Sequence, residues 1–409
     1  MMNADVNHNH STDNEAIRFI LQLGKALHKY GYASHRLEEL LEQVATSFNL
    51  QAQIFAATTS IYCGFGELEH QRTYLIRIEP GGINLAKLVD TDKVLTDVIH
   101  HKISLTEGSA RLEKIDRALD YSIPVTILAY TITSAAASRF LGGGGKEIIA
   151  AAFIGLLIGA LSIWSKHHIG LGKIIDPLAA FSAAILAGAL SVKFGPFSVL
   201  NVTLAGLIVL LPGYSLTIAM TELTTQNLVS GTSRFIGALI VFFGMGFGVA
   251  LGQQISAMIF GASQIGDPIQ LPVWTEALAL LIAPLSLSIL LSAHVKDFIW
   301  ILLVSGVAII SSRIGSYNFG PELGPFVGAL MVGIASRIYS HSLQRPSTVT
   351  LAPGILLLVP GSVGFRSLAS LLDKQVVPGV ETAFKMLLVA MALVAGVLIS
   401  NLIIPVRKR

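Results

Sequence analysis

Two Pro-Gly pairs sit in matching apolar contexts, Leu-Leu-Pro-Gly at 210–213 and Leu-Val-Pro-Gly at 358–361. Proline has no N–H to donate and blocks helix continuation, so each pair breaks a helix and frees backbone groups. At membrane depth such a break is tolerated only where protein or a water-filled cavity satisfies those groups. Free N–H and C=O groups of this kind suit the carboxylate or ammonium of a small zwitterion. Prolines that merely end helices at a membrane surface would give the same pattern. Near the corners, Asn201, Thr203, Ser215 and Ser362 could hydrogen-bond a hydroxyl or an amino-acid head group. Together with Pro212, Gly213, Pro360 and Gly361 they form the expected substrate-binding set. Polar residues between helices serve equally well as packing contacts.

Ionisable residues inside apolar spans are costly, about 2.5–3.5 kcal/mol at a helix centre, and so point to function. Glu276 lies a few residues into an apolar segment, Asp176 and Glu322 stand beside Pro177 and Pro325, and Glu222 follows the first corner. A carboxylate whose pKa is raised by burial could carry a coupling proton, which makes these four the proton-coupling candidates. Interfacial carboxylates in water are the alternative. No other chemistry is signalled. Gly64-Phe65-Gly66 lacks the third glycine and the strand-turn-helix context of a dinucleotide loop. There is no zinc spacing and no triad, and the single cysteine, Cys63, excludes an intramolecular disulfide. No cofactor or metal is expected, and no enzyme activity.

The elements that must position these groups fall in two parts. The chain has 409 residues, 53% hydrophobic and only 13% charged, with mean hydropathy +0.68. Soluble domains carry about 25% charged residues, so an ordinary soluble enzyme and a nucleic-acid-binding module are excluded. Residues 1–120 hold 12 Lys/Arg and 16 Asp/Glu, whereas residues 121–409 hold 16 and 9. The reading is a disordered tail over 1–14, a small α/β domain over 15–120, and a membrane domain beyond it. Within the first part, Ile17, Ile20, Leu21, Leu23 and Leu27 follow helical spacing, as do Leu37, Leu40, Leu41 and Val44. Strand-like stretches cover 52–56, 58–64 and 72–78, and Ser104 with Glu107 is a capping-box candidate. The polar first fourteen residues lack a secretory signal, which places the domain in the cytoplasm.

Ten apolar segments follow, each approaching the roughly 20 residues needed to span a bilayer. They lie near 122–141, 147–164, 176–192, 198–213 and 234–256, then 271–293, 298–314, 323–339, 347–362 and 383–405. An ungapped shift of 148 residues aligns Pro124 with Pro272, Pro177 with Pro325, Gly206 with Gly354, and the first Pro-Gly pair with the second. Three proline pairs in one register mark a repeat, 121–256 and 266–405. Five spans per repeat is an odd number, so the two must insert with opposite topology, the plan of many secondary transporters. Basic residues favour the inner loops, the terminal Arg407-Lys408-Arg409 most clearly.

At this point the chain resembles the threonine/serine exporter family. The segment from Gly24-Lys25-Ala26-Leu27 through Gly31-Tyr32-Ala33-Ser34-His35-Arg36-Leu37-Glu38 is similar to that family's opening signature. His35 replaces an expected aromatic residue there and Leu37 a valine. Ile103–Leu112 is similar to the helix preceding the family's first span, and both Pro-Gly corners match. The resemblance covers nearly the whole chain. It implies a cytoplasmic domain fused to ten spans in a bacterial inner membrane, exporting threonine and serine by proton motive force. It leaves a homo-oligomer open. The rival readings are a dicarboxylate exporter of succinate type, which a second basic residue facing the cavity would favour, and a membrane sensor or enzyme acting through the α/β domain.

Overall fold

The computed structural model describes the chain except for residues 1, 80, 262–265, 267, 360, 373 and 406–409. Helix α1 (Met2–Lys29) continues through the stretch expected to be a tail, so the polar N-terminal residues extend the helix. Its Phe19, Ile20, Leu23 and Leu27 are buried against α2 (Ser34–Ser47), whose Leu37, Leu40, Leu41 and Val44 form the facing stripe. Strands β1 (Ala52–Ala57), β2 (Ser60–Phe65) and β3 (Arg72–Arg77) follow as an antiparallel meander in the order β1-β2-β3. This sheet has no parallel crossover, so the mixed α and β content expected here takes an antiparallel form. One face buries Ile54, Ala56, Ile61 and Cys63 and the other exposes Phe55, Tyr62 and Leu75, as period-two alternation requires. Burial pushes the Cys63 thiol up to about 11, which leaves it inert at neutral pH. Helix α3 (Leu85–Ile99) is capped by the Asn84 side chain, and α4 (Leu105–Arg117) by Ser104 Oγ, which accepts from the Glu107 N–H at 3.1 Å.

The apolar part contains two runs of helices. The first comprises α5 (Ile123–Phe140), α6 (Gly145–Lys166), a short α7 (Ile169–Gly172), α8 (Ile175–Phe194), α9 (Val199–Leu207), α10 (Gly213–Thr224) and α11 (Leu228–Phe260). The second comprises α12 (Val273–Leu290), α13 (Phe298–Phe319), α14 (Gly324–Leu343), α15 (Thr348–Leu358), α16 (Gly361–Leu372) and α17 (Val376–Ile403). Helices α10 and α16 begin 148 residues apart, and so do α11 and α17. The packing corresponds too: α8 lies on α11 and α14 on α17, while α5 pairs with α6 and α12 with α13. Small residues permit the first two contacts. A Cβ on Gly248 would overlap the Pro177 carbonyl oxygen, and one on Gly396 would come to 2.5 Å from that of Phe326.

Among the described residues, seven stretches are long and apolar enough to cross a membrane. They are α6, α8, α11, α12, α13 with its preceding turn, the α15–α16 stretch, and α17. Three of the ten expected spans fall outside these seven, for two physical reasons. Helices α5 and α14 carry Arg139 and Arg337 with several Ser and Thr residues, which lowers their apolarity. The expected fourth span is broken: α9 has 9 residues and reaches only about 13 Å, against a hydrocarbon core of about 30 Å. The protein is a mostly helical, multi-pass membrane protein.

The N-terminal elements sit on one end of the bundle. The Leu85 and Ala86 N–H groups donate to the Leu291 and Ser292 carbonyls, each at 2.9 Å. Tyr121 OH donates to the Ala293 carbonyl at 2.7 Å, and Ser230 Oγ to that of Ala56 at 2.7 Å. At the same end, Asp297, buried between α12 and α13, accepts from Tyr339 OH at 2.8 Å and from the Arg345 guanidinium.

Candidate functional site

The two corners meet. Helix α9 stops at Leu207 and α10 restarts at Gly213, after Pro212; α15 stops at Leu358 and α16 restarts at Gly361. Pro360, the proline of the second corner, lies outside the described residues. The backbones approach so closely that a Cβ on Gly213 would lie 3.2 Å from the Cα and N of Gly361 and would overlap Val359 Cγ1. Only a residue without a side chain fits between them.

Beside this contact lies a cavity of about 820 Å³, a volume suited to small-molecule binding. Pro212, Ser215 and Ser362 line it, with Tyr214 between them. Along α5 its wall runs from Thr126 through Tyr130, Thr133 and Ala137 to Leu141, a length of about 22 Å at 1.5 Å per residue. Thr133 Oγ1 donates to Ser286 Oγ on α12 at 2.8 Å, which ties the first helix of one half to the first helix of the other.

The expected polar residues divide. Ser215 and Ser362 face the cavity, but Asn201 and Thr203 are not among its lining residues. Thr203 Oγ1 donates to the Val199 carbonyl of its own helix at 2.8 Å, and Asn201 Oδ1 accepts from Arg366 Nη2 on α16 at 3.3 Å. Both side chains are thus engaged by protein partners. The carboxylates divide as well. Asp176 lines the cavity, and no hydrogen bond or ion pair engages its side chain among the described residues. Glu222 is fully buried and accepts from Arg234 Nε at 3.0 Å, Arg234 Nη2 at 3.2 Å and the Ser34 N–H at 3.3 Å. Glu276 pairs with Arg313. Glu322 lies beside Gly320 ahead of α14, away from the cavity.

The basic residues on the wall were not among the expected site groups. Lys166, Arg234 and Arg313 all line the cavity. In the sequence Arg234 sits at a span end, where snorkelling is the natural reading, and Arg313 stands at the last turn of the expected 298–314 segment. The available signal was the acid-base pairing of Glu222 with Arg234, twelve residues apart, which brings the two together only once the α10–α11 hairpin closes. Two of the three cations are neutralised, Arg234 by Glu222 and Arg313 by Glu276. Lys166 and Asp176 also line the cavity, and no ion pair joins them among the described residues.

The N-terminal elements complete the cavity. His28, Gly31, Tyr32, Ala33 and Gly81–Ile83 contribute to its lining. His28 Nε2 bonds the Ala57 carbonyl at 2.8 Å, and burial holds its pKa below the ordinary histidine value. His35, beside Arg36, is lowered to about 4, chiefly by burial.

Residues 18–256 match the family described as putative threonine/serine exporter, and residues 276–403 the family described as threonine/serine exporter, ThrE. The boundary between the two matches falls at the start of the second run of helices. Pheromone-regulated membrane protein 10 of Candida albicans (strain WO-1) is 27% identical over 363 residues, which cover 86% of this chain and 33% of that protein. Its namesake in Saccharomyces cerevisiae (strain YJM789) is 26% identical over 364 residues, 86% of this chain and 47% of that one. In Debaryomyces hansenii the figures are 24% over 383 residues, 90% and 37%. The chain thus spans a third to a half of the length of these relatives. No solved structure matches it. With more than half its residues in one family match and most of the remainder in the other, the chain belongs to the threonine/serine exporter family.

Proposed function

We propose that the protein exports small hydroxy amino acids, threonine and serine, driven by the proton gradient. The meeting of the two broken-helix corners beside a charge-balanced cavity carries this reading. A wall on which Arg234 and Arg313 are neutralised, and which also carries one lysine, Lys166, and one carboxylate, Asp176, suits a cargo of zero net charge that bears both an ammonium and a carboxylate. The hydroxyls of Ser215 and Ser362 suit the cargo's own hydroxyl. The two halves act as inverted repeats that rock about the Gly213–Gly361 contact, exposing the cavity to one side and then the other. Asp176 is the coupling carboxylate, because Glu222 and Glu276 are held by arginines and Glu322 stands off the cavity. One proton crossing supplies about 2.3 kcal/mol per 100 mV. The N-terminal elements lie on the cytoplasmic side, consistent with the basic residues of the loops at that end.

A specific observation favours a second reading. Lys166 and Arg313 would accept a dicarboxylate such as succinate, once Glu276 is protonated and releases Arg313. The two readings separate in cells fed threonine-containing dipeptides. Expression of the protein lowers the internal threonine pool if the first is right; an unchanged pool with enhanced succinate efflux supports the second.

A further inference from the structure

The cavity wall nearest the N-terminal elements is made by two loops, 31–33 and 81–83, and not by membrane helices. Gly31 adopts φ +93°, a left-handed conformation that glycine tolerates freely. Directly after the first loop, the opening N–H of α2, from Ser34, donates to Glu222. Glu222 lies on α10, the helix that starts at the first corner, and it holds Arg234, itself a cavity residue. A single carboxylate thus joins a lining loop, a corner helix and a wall cation.

The junction is also under-satisfied. Ser34 Oγ, His28 Nδ1 and His35 Nδ1 are buried and have no hydrogen-bond partner among the described residues. Buried polar atoms of this kind carry a desolvation cost that water would relieve. The docked arrangement is held by hydrogen bonds and by an apolar cluster that the N-terminal core shares with Leu291, Ile301 and Val349, but at the Glu222 corner it covers groups that gain from being wetted.

We propose that helix α2 and the 31–33 and 81–83 loops form a movable gate over one mouth of the cavity, and that Glu222 is the positioning residue that latches it. The gate opens by release of the Ser34 N–H from Glu222 while the Leu85–Leu291, Ala86–Ser292, Ser230–Ala56 and His294–Asp90 contacts part. Solute then enters between the N-terminal elements and the bundle. This extends the transport reading above, but its test does not depend on the cargo.

The test uses the full chain in sealed vesicles with the N-terminal elements outward, Cys63 replaced by Ser, and Ser215→Cys as a reporter inside the cavity. An impermeant maleimide is added outside, and labelling at position 215 is followed by mass spectrometry. Ser34→Pro removes the donated N–H at a position, the first of a helix, where proline is tolerated. Glu222→Gln weakens the same bond from the other partner and guards against misfolding of the first variant. Each speeds labelling about tenfold, the factor expected for losing a hydrogen bond to a charged group. A disulfide between Ala86→Cys and Ser292→Cys, whose backbones hydrogen-bond directly, slows labelling by a similar factor. Unchanged labelling in both latch variants and in the cross-linked protein overturns the gate. Gated labelling of the reporter protein, together with no threonine flux in vesicles of the protein that retains Ser215, refutes the cargo and leaves the gate standing.

Discussion

Gly213→Ala tests whether the corners truly meet. Position 213 opens α10, so on helix propensity alone an alanine is neutral or stabilising, by at most about 1 kcal/mol. The structure predicts the reverse. The new methyl would overlap Val359 Cγ1 and stand 3.2 Å from the Gly361 Cα and N, where carbon contacts prefer about 3.5–4.0 Å. Val359 could move only against its stiff β-branched rotamer, and the Gly361 backbone is fixed by its own helix. Overpacking of this type costs about 1–3 kcal/mol, so a net loss of about 1–2 kcal/mol is expected, together with strongly reduced exchange. Gly361→Ala makes a control, because its methyl would meet Leu211 Cβ at 3.3 Å and the Gly213 Cα only at 3.6 Å, and it should be milder. Val359→Ala added to Gly213→Ala should recover part of the loss. Thermal unfolding of the purified protein and labelled-substrate exchange report the two effects. A Gly213→Ala protein as stable and active as the parent, or a Gly361→Ala protein that is worse, would refute the corner contact.

Other consequences follow from the same geometry. Asp176→Asn should remove the dependence of net threonine efflux on an imposed pH gradient while retaining exchange of labelled for unlabelled substrate; a retained gradient dependence excludes Asp176 from the proton path. Tyr339→Phe removes one of the two donors to the buried Asp297 Oδ1, at a cost of about 1.5–3 kcal/mol, and should lower the unfolding temperature by several degrees without altering substrate preference. The junction should be acid-labile. His28 and His35, facing Arg36, Glu38, Glu222 and Arg234, have docked pKa values below 6.5, His35 at about 4. Docking is thus fully stable above pH 6.5 and weakens as pH falls towards 4. Maleimide labelling of the Ser215→Cys reporter, normalised to free cysteine at each pH, should rise between pH 7 and 5, and a flat profile contradicts the assignment.

Much of this arrangement was legible in the sequence. The register of 148 residues reappears in the starts of α10 and α16 and of α11 and α17, because prolines and glycines act through local backbone geometry. Ser215, Ser362 and Asp176, each drawn from a stretch of sequence marked by proline, line the cavity. What failed depends on long-range packing. Asn201 and Thr203 read as binding groups, but whether a hydroxyl faces a cavity or its own helix backbone is decided by rotation about the helix axis, which composition does not report. Arg234 and Arg313 were missed because their partners come from neighbouring helices, and the role of the 31–33 and 81–83 loops in the cavity wall is visible only once the N-terminal elements are docked.

The central claim is best tested by counterflow in proteoliposomes holding purified full-length protein. Vesicles preloaded with unlabelled threonine should accumulate labelled threonine and serine above empty-vesicle controls, should show no uptake of labelled succinate, and should lose the signal in Gly213→Ala. Uptake of succinate without threonine or serine would contradict the hydroxy-amino-acid assignment, and no counterflow of any of the three would contradict the transport account itself.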